Sequence, residues 1–87
     1  MNYTYNRILD VIASHTGVSQ AKIKVRSKFQ EFYQDSLDVM DLRLGLEMEF
    51  DLELTDLEFD EIKTVGDAVQ LFDNKLHEKH LSLKRIL

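Results

Sequence analysis

Residues 37–50 carry two apolar stripes at helical spacing, and that doubling limits the possible folds more than any other feature of the chain. At 100° per residue, Val39, Leu42, Leu46 and Phe50 fall on one face, separated by three, four and four positions. Leu37, Met40, Leu44 and Met48 repeat that spacing on a second face, centred about 160° away. Asp38, Asp41, Gly45 and Glu49 occupy one flank, and Arg43 and Glu47 the other. A surface helix needs only one apolar face for its own core. Either both stripes are covered by neighbours in a bundle of three or four helices, or one is left partly open to meet partners or line a cavity. The Leu37/Met40/Leu44/Met48 stripe suits the open role better, because methionine adapts to varied surfaces and acidic groups border it.

The rest of the chain reads as helices of one stripe each. Tyr5, Ile8, Leu9 and Ile12 predict a first helix that stops near Ser14, with Gly17 able to take the left-handed conformation that ends it. Val18 to Gln34 lacks a clear period and predicts a long connection with one short helical turn, a length of loop that is often functional. Asp35 or Ser36 opens the doubly apolar helix, which runs to about Phe50. Thr55 and Glu58, and again Thr64 and Asp67, place a hydroxyl three positions before a carboxylate, the layout of a capping box. The first pair predicts a short helix through about Glu61. The second predicts a longer one with Val65, Val69, Phe72 and Leu76 on one face, which the basic tail 77–87 can continue. The expected fold is all-α, a small four-helix bundle with a short third helix, in one domain spanning 1–87 with its core at about 5–76.

Composition removes several functions. The 87 residues include no cysteine, so there is no disulfide, no thiolate zinc site and no thiol of the chain's own for thioester or redox chemistry. No apolar run approaches a membrane span, and the start MNYTYNRILD lacks a signal-peptide layout, so a cytoplasmic monomer without membrane insertion is expected. Residues 30–62 hold twelve acids against Arg43 alone, while the flanking segments are mildly basic and the whole carries a net charge of -5. Such a middle repels nucleic acid and attracts basic protein surfaces.

Ser36 lies within Gln34-Asp35-Ser36-Leu37-Asp38 and has three possible roles. It can cap the helix, although Asp35 followed by Asp38 nearly forms a capping box alone, which leaves the Ser36 hydroxyl unneeded and exposed. It can be a nucleophile, but nothing places His15, His77 or His80 beside it, and no oxyanion loop surrounds it. It can be a point of attachment, since a phosphodiester there would meet the unpaired N–H groups and positive dipole end of a helix. No metal site is expected: His77 and His80 read as solvated, and the acids after Asp51 lack the glycine and glutamate of a calcium loop.

Asp35-Ser36-Leu37-Asp38, followed by Leu42, Leu46, Glu47, Glu49, Phe50 and Asp51, closely resembles the acyl carrier proteins. Gly17-Val18, Phe29, Leu54, Ile62, Thr64-Val65 and Ala68-Val69 extend the resemblance over about residues 5–74. The resemblance implies that Ser36, with Asp35 and Leu37 beside it, carries 4'-phosphopantetheine, transferred from coenzyme A by a separate phosphopantetheinyl transferase (holo-carrier synthase). The arm's thiol then holds acyl groups as thioesters, which explains how a chain without cysteine does thioester chemistry, and the chain itself catalyses nothing. By the same resemblance, Leu37, Asp38, Met40, Asp41, Leu44, Glu47 and Met48 meet the basic surfaces of acyl-transferring and chain-extending enzymes. Leu46, Leu54, Ile62 and Ala68 line a cavity for the acyl chain. Carriers of this kind serve fatty acid, specialised lipid or polyketide biosynthesis. Tyr33 in place of the family's usual glycine, Arg43 and Met48 in the second helix and the basic tail suit a carrier dedicated to one pathway (a specialised lipid, a polyketide or an aminoacyl group) at least as well as a housekeeping role in fatty acid synthesis. Aminoacyl or peptidyl carriers share the fold, and an unmodified acidic interaction module is the rival from another class.

Overall fold

A computed structural model describes residues 3–86, with side chains described through Leu81. The described residues form four α-helices: α1 (Tyr3–Thr16), α2 (Ser36–Phe50), α3 (Asp56–Asp60) and α4 (Val65–Ile86). Where one helical turn was expected between α1 and α2 there are two 3₁₀ turns, Gln20–Lys22 and Phe29–Phe32. Among the described residues there is no strand. The expected all-helical bundle is present. The side chains of Lys84 and Arg85 in the basic tail lie outside the described residues.

α1 packs against both α2 and α4. Its stripe buries Ile8, Leu9, Val11 and Ile12. From α2 come Leu42, Leu46 and Phe50, and from α4 Val65, Ala68 and Phe72, the Phe50 and Phe72 rings stacking with centroids 4.7 Å apart. Two loop side chains, Ile23 and Phe29, are fully buried, so the loop contributes to the core as the helices do. Its backbone is tied to the start of α4: the Phe29 N–H donates to Lys63 O (2.9 Å), Val65 N–H to Ser27 O (3.0 Å) and Gly66 N–H to Val25 O (2.8 Å). An antiparallel bridge joins Lys28 to Thr64. These pairings explain the weak period of residues 18–34. Burial there is set by single anchors and backbone partners, not by a repeating face.

The helix ends follow the local chemistry. Gly17 ends α1 at φ 77°, where a side chain would be strained. Asp51 ends α2 in the same left-handed region at φ 52°, and the Leu52 N–H closes back on Glu47 O at 3.0 Å. Both expected capping boxes are formed. Thr55 Oγ1 accepts from the Glu58 N–H (3.1 Å) while Glu58 accepts from the Thr55 N–H (2.9 Å). Thr64 and Asp67 exchange the same pair of bonds at 3.1 and 3.0 Å.

α3 fully buries none of its residues; Phe59 packs edge-on against Phe29, and ion pairs tie the helix to α2 and α4. Lys75 Nζ donates to both Glu58 carboxylate oxygens (2.9 and 2.8 Å), and Arg43 reaches Asp56 Oδ1 (2.9 Å) and Leu54 O (2.5 Å) while lying over the Phe59 ring. The Lys75 ammonium, then the Thr55 N–H, hold the Glu58 carboxyl below its ordinary range. A depressed carboxylate stabilises the fold above its unfolded pKa, and that contribution is lost as pH falls through the folded value. Acid below the ordinary carboxylate range is therefore expected to release α3 ahead of the rest of the bundle. Side-chain carboxyl NMR titration measures this, and in Lys75→Gln the Glu58 midpoint moves back up. An unchanged midpoint would refute the Lys75 contact as its main cause.

Candidate functional site

Asp35 positions the start of α2. Its side chain accepts from the Asp38 N–H (2.9 Å), and its carbonyl accepts from the Val39 N–H (3.1 Å). Asp38 in turn accepts from the Gln34 N–H at 3.2 Å. Such a cap is worth about 1 kcal/mol to the helix. Because Asp35 performs it, Ser36 is the first helical residue and its hydroxyl has no capping duty. Ser36 is exposed. The Ser36 and Leu37 N–H groups of the open first turn have no acceptor among the described residues, so they and the helix dipole suit a phosphodiester on the hydroxyl. A small polar hydroxyl exposed on an open helix start is accessible to another protein.

The histidine that a serine hydrolase needs is elsewhere. His15 Nδ1 lies 3.0 Å from Val11 O, and its ring rests against Gly45. A Cβ at position 45 would come within 2.6 Å of the His15 ring, which accounts for a glycine in the middle of α2. Gly45 is about 13 Å along the helix axis from Ser36 at 1.5 Å per residue.

The open face of α2 is the one with the methionines. Leu37, Met40, Leu44 and Met48 are 73%, 65%, 54% and 71% exposed, against 1%, 0% and 5% for Leu42, Leu46 and Phe50. Asp38 and Asp41 border it, both exposed. Four large apolar side chains in one stripe form a patch of the kind that marks an interaction site. Glu47, expected among the partner-contacting residues, is engaged within the chain. Its carboxylate accepts from the Leu54 N–H at 2.7 Å and pairs with Arg43 Nε at 3.8 Å, fixing the loop after α2. Arg43 is likewise spent within the chain, so its charge does not oppose the acids of the open face. Sequence spacing placed both residues on a flank, but could not reveal that the α2–α3 loop folds back to meet them.

The four residues expected around an acyl chain are all buried: Leu46 0%, Leu54 5%, Ile62 8% and Ala68 0%. Of the four, Ile62 lines a cleft of about 350 Å³ between the long loop and α3. Tyr33 and Phe59 line the same cleft, a role that no periodic stripe signals: Tyr33 stood out in the sequence only as a departure from the family's usual glycine, and Phe59 not at all.

Residues 6–72 match the family model described as the phosphopantetheine attachment site. The chain is also 38% identical over 66 residues to an acyl carrier protein of Clostridium acetobutylicum, an alignment covering 75% of this chain and 86% of the relative. The chain belongs to the acyl carrier protein family. It is a carrier and not a catalyst, and its cofactor is a covalently attached 4'-phosphopantetheine, whose thiol supplies the thioester chemistry the chain lacks. Carriers of this family work with a phosphopantetheinyl transferase and with biosynthetic enzymes. No helix among the described residues is long and apolar enough to cross a membrane.

Proposed function

We propose that Ser36 is the attachment residue and that this carrier presents acyl intermediates of fatty acid, specialised lipid or polyketide biosynthesis to enzymes with basic surfaces in the cytoplasm. The observation that carries the reading is the free Ser36 hydroxyl, exposed on the first turn of α2 and released from capping by Asp35. Leu37, Met40, Leu44 and Met48 supply the contact area for partners, and Asp38 and Asp41 supply attraction and orientation. Within one domain, the bundle keeps the arm's root rigid while leaving the arm itself unconstrained. The test is intact mass after incubation with coenzyme A, magnesium and a broad-specificity phosphopantetheinyl transferase. A gain of one phosphopantetheine is expected. No gain with several such enzymes would refute it.

The partner face has its own test. Asp41 makes no hydrogen bond or ion pair among the described residues, whereas Asp38 also holds the Gln34 N–H, so Asp41→Lys changes docking charge without disturbing the helix start. Its kcat/KM with the transferase is expected to fall about tenfold at low salt, and by less as ionic strength rises. An equal loss at high salt would refute the electrostatic role.

A further inference from the structure

The cleft between the long loop and α3 combines an aromatic floor with a positive rim. The Phe29 ring meets Tyr33 and Phe59 edge-on, with centroids 6.3 and 6.1 Å away, and Ile62 lies beside them. Tyr33 stands three positions before Ser36, so the cleft lies close to the proposed root of the arm. Lys28 and Lys63 line it, their backbones fixed side by side by the Lys28–Thr64 bridge and by the Phe29 N–H to Lys63 O bond.

These two lysines differ from the ion-paired cations of the helices. Arg7, Arg43, Lys75 and Lys79 each lie within 4.0 Å of a carboxylate. Neither Lys28 nor Lys63 makes such an ion pair among the described residues, although the chain has sixteen acids to eleven bases. Asp60 shares the cleft, and Asp67, held low first by the Lys63 and Thr64 N–H groups, also feels the Lys63 charge. Residues 19–28 add Lys22, Lys24 and Arg26 and contain no acid, so the cleft opens beside a positive segment of a negative protein. A methyl-ended chain gains nothing from such a rim. An anionic end does.

We infer that this cleft receives the cargo, and that it favours a short acyl group ending in a carboxylate, which Lys28 and Lys63 meet at the rim while the aromatic floor covers its methylenes. The inference rests on the carrier reading of Ser36, because the cargo reaches the cleft on the arm. It also places the carrier beside enzymes that make or consume dicarboxylic acyl thioesters.

Loading the protein from glutaryl-coenzyme A and from pentanoyl-coenzyme A, with the same transferase, tests it. The two acyl groups have five carbons each and differ in a carboxylate against a methyl. Amide NMR of the two loaded forms is expected to show the glutaryl group shifting Phe29, Phe59 and Lys63. Its docked-to-undocked ratio should be two- to fivefold above that of pentanoyl, the range typical of exposed ion pairs, and the difference should vanish in Lys28→Gln/Lys63→Gln and at high salt. Equal perturbation by the two groups, stronger docking of pentanoyl, or a preference that survives in the double variant would overturn it. A mass spectrum showing no loading at all would take down the carrier reading and this inference together; loading without the preference removes the inference alone.

Discussion

Ser36→Ala is expected to abolish phosphopantetheine loading completely while leaving the helical circular dichroism and the unfolding midpoint within experimental error of the parent protein. The loss is total because, on the proposed assignment, the hydroxyl oxygen forms the phosphodiester, and alanine has none. The fold is spared because the Ser36 hydroxyl caps nothing: Asp35 holds the Asp38 N–H and Asp38 holds the Gln34 N–H. Alanine is also a good helix former, so α2 gains slightly if it changes at all. Intact mass and a urea titration, run side by side, separate the outcomes. A mutant that still takes up the arm would move the attachment site elsewhere. A mutant that fails to load because it has unfolded would show that Ser36 has a structural part not visible in its contacts.

The largest effect on stability is expected from Phe72→Ala. Phe72 is fully buried and stacks on Phe50, so its ring ties the end of α2 to α4 where no other aromatic pair joins those helices among the described residues. Removing it leaves a cavity and forfeits the stacking, a loss of about 3–5 kcal/mol for a buried phenylalanine. Native domains are stable by only about 5–15 kcal/mol, and with no disulfide to hold the chain this is a large fraction. The urea midpoint should fall steeply with little change in slope. A loss below about 1 kcal/mol would mean that the neighbouring side chains collapse into the space.

How much of this was legible in the sequence depended on the physics behind each feature. α2 and the caps of α3 and α4 were readable because they rest on local spacing: a hydroxyl three positions before a carboxylate, or leucines every three and four positions. The two faces of α2 were readable as well, and the methionines and bordering acids pointed to the Leu37/Met40/Leu44/Met48 stripe as the open one, as found. Periodicity within α2 did not contain what α1 and α4 bring against the other face. The long loop was least legible. Ile23 and Phe29 are isolated anchors, and the pairing of residues 25–29 with 63–66 is a contact between distant segments that leaves no period. At the candidate site, Ser36 and the cap that frees it could be read directly, while the engagement of Glu47 and Arg43 within the chain could not, since both are partnered by residues more than six positions away.

The division of α2 into a sealed face and an open one also bears on how such a carrier can diverge. Leu42, Leu46 and Phe50 answer to the core, whereas Leu37, Met40, Leu44 and Met48 answer only to whatever docks there. Substitutions on the open face sit apart from the packed one, and effects at sites without shared partners add nearly independently. On the docking role proposed for this face, client enzymes can be exchanged by rewriting outward positions with little cost to folding, and selection on partner choice can proceed without renegotiating the bundle beneath. The same separation makes this face the natural place to graft a different set of contacts when a carrier is to be redirected to a new assembly line.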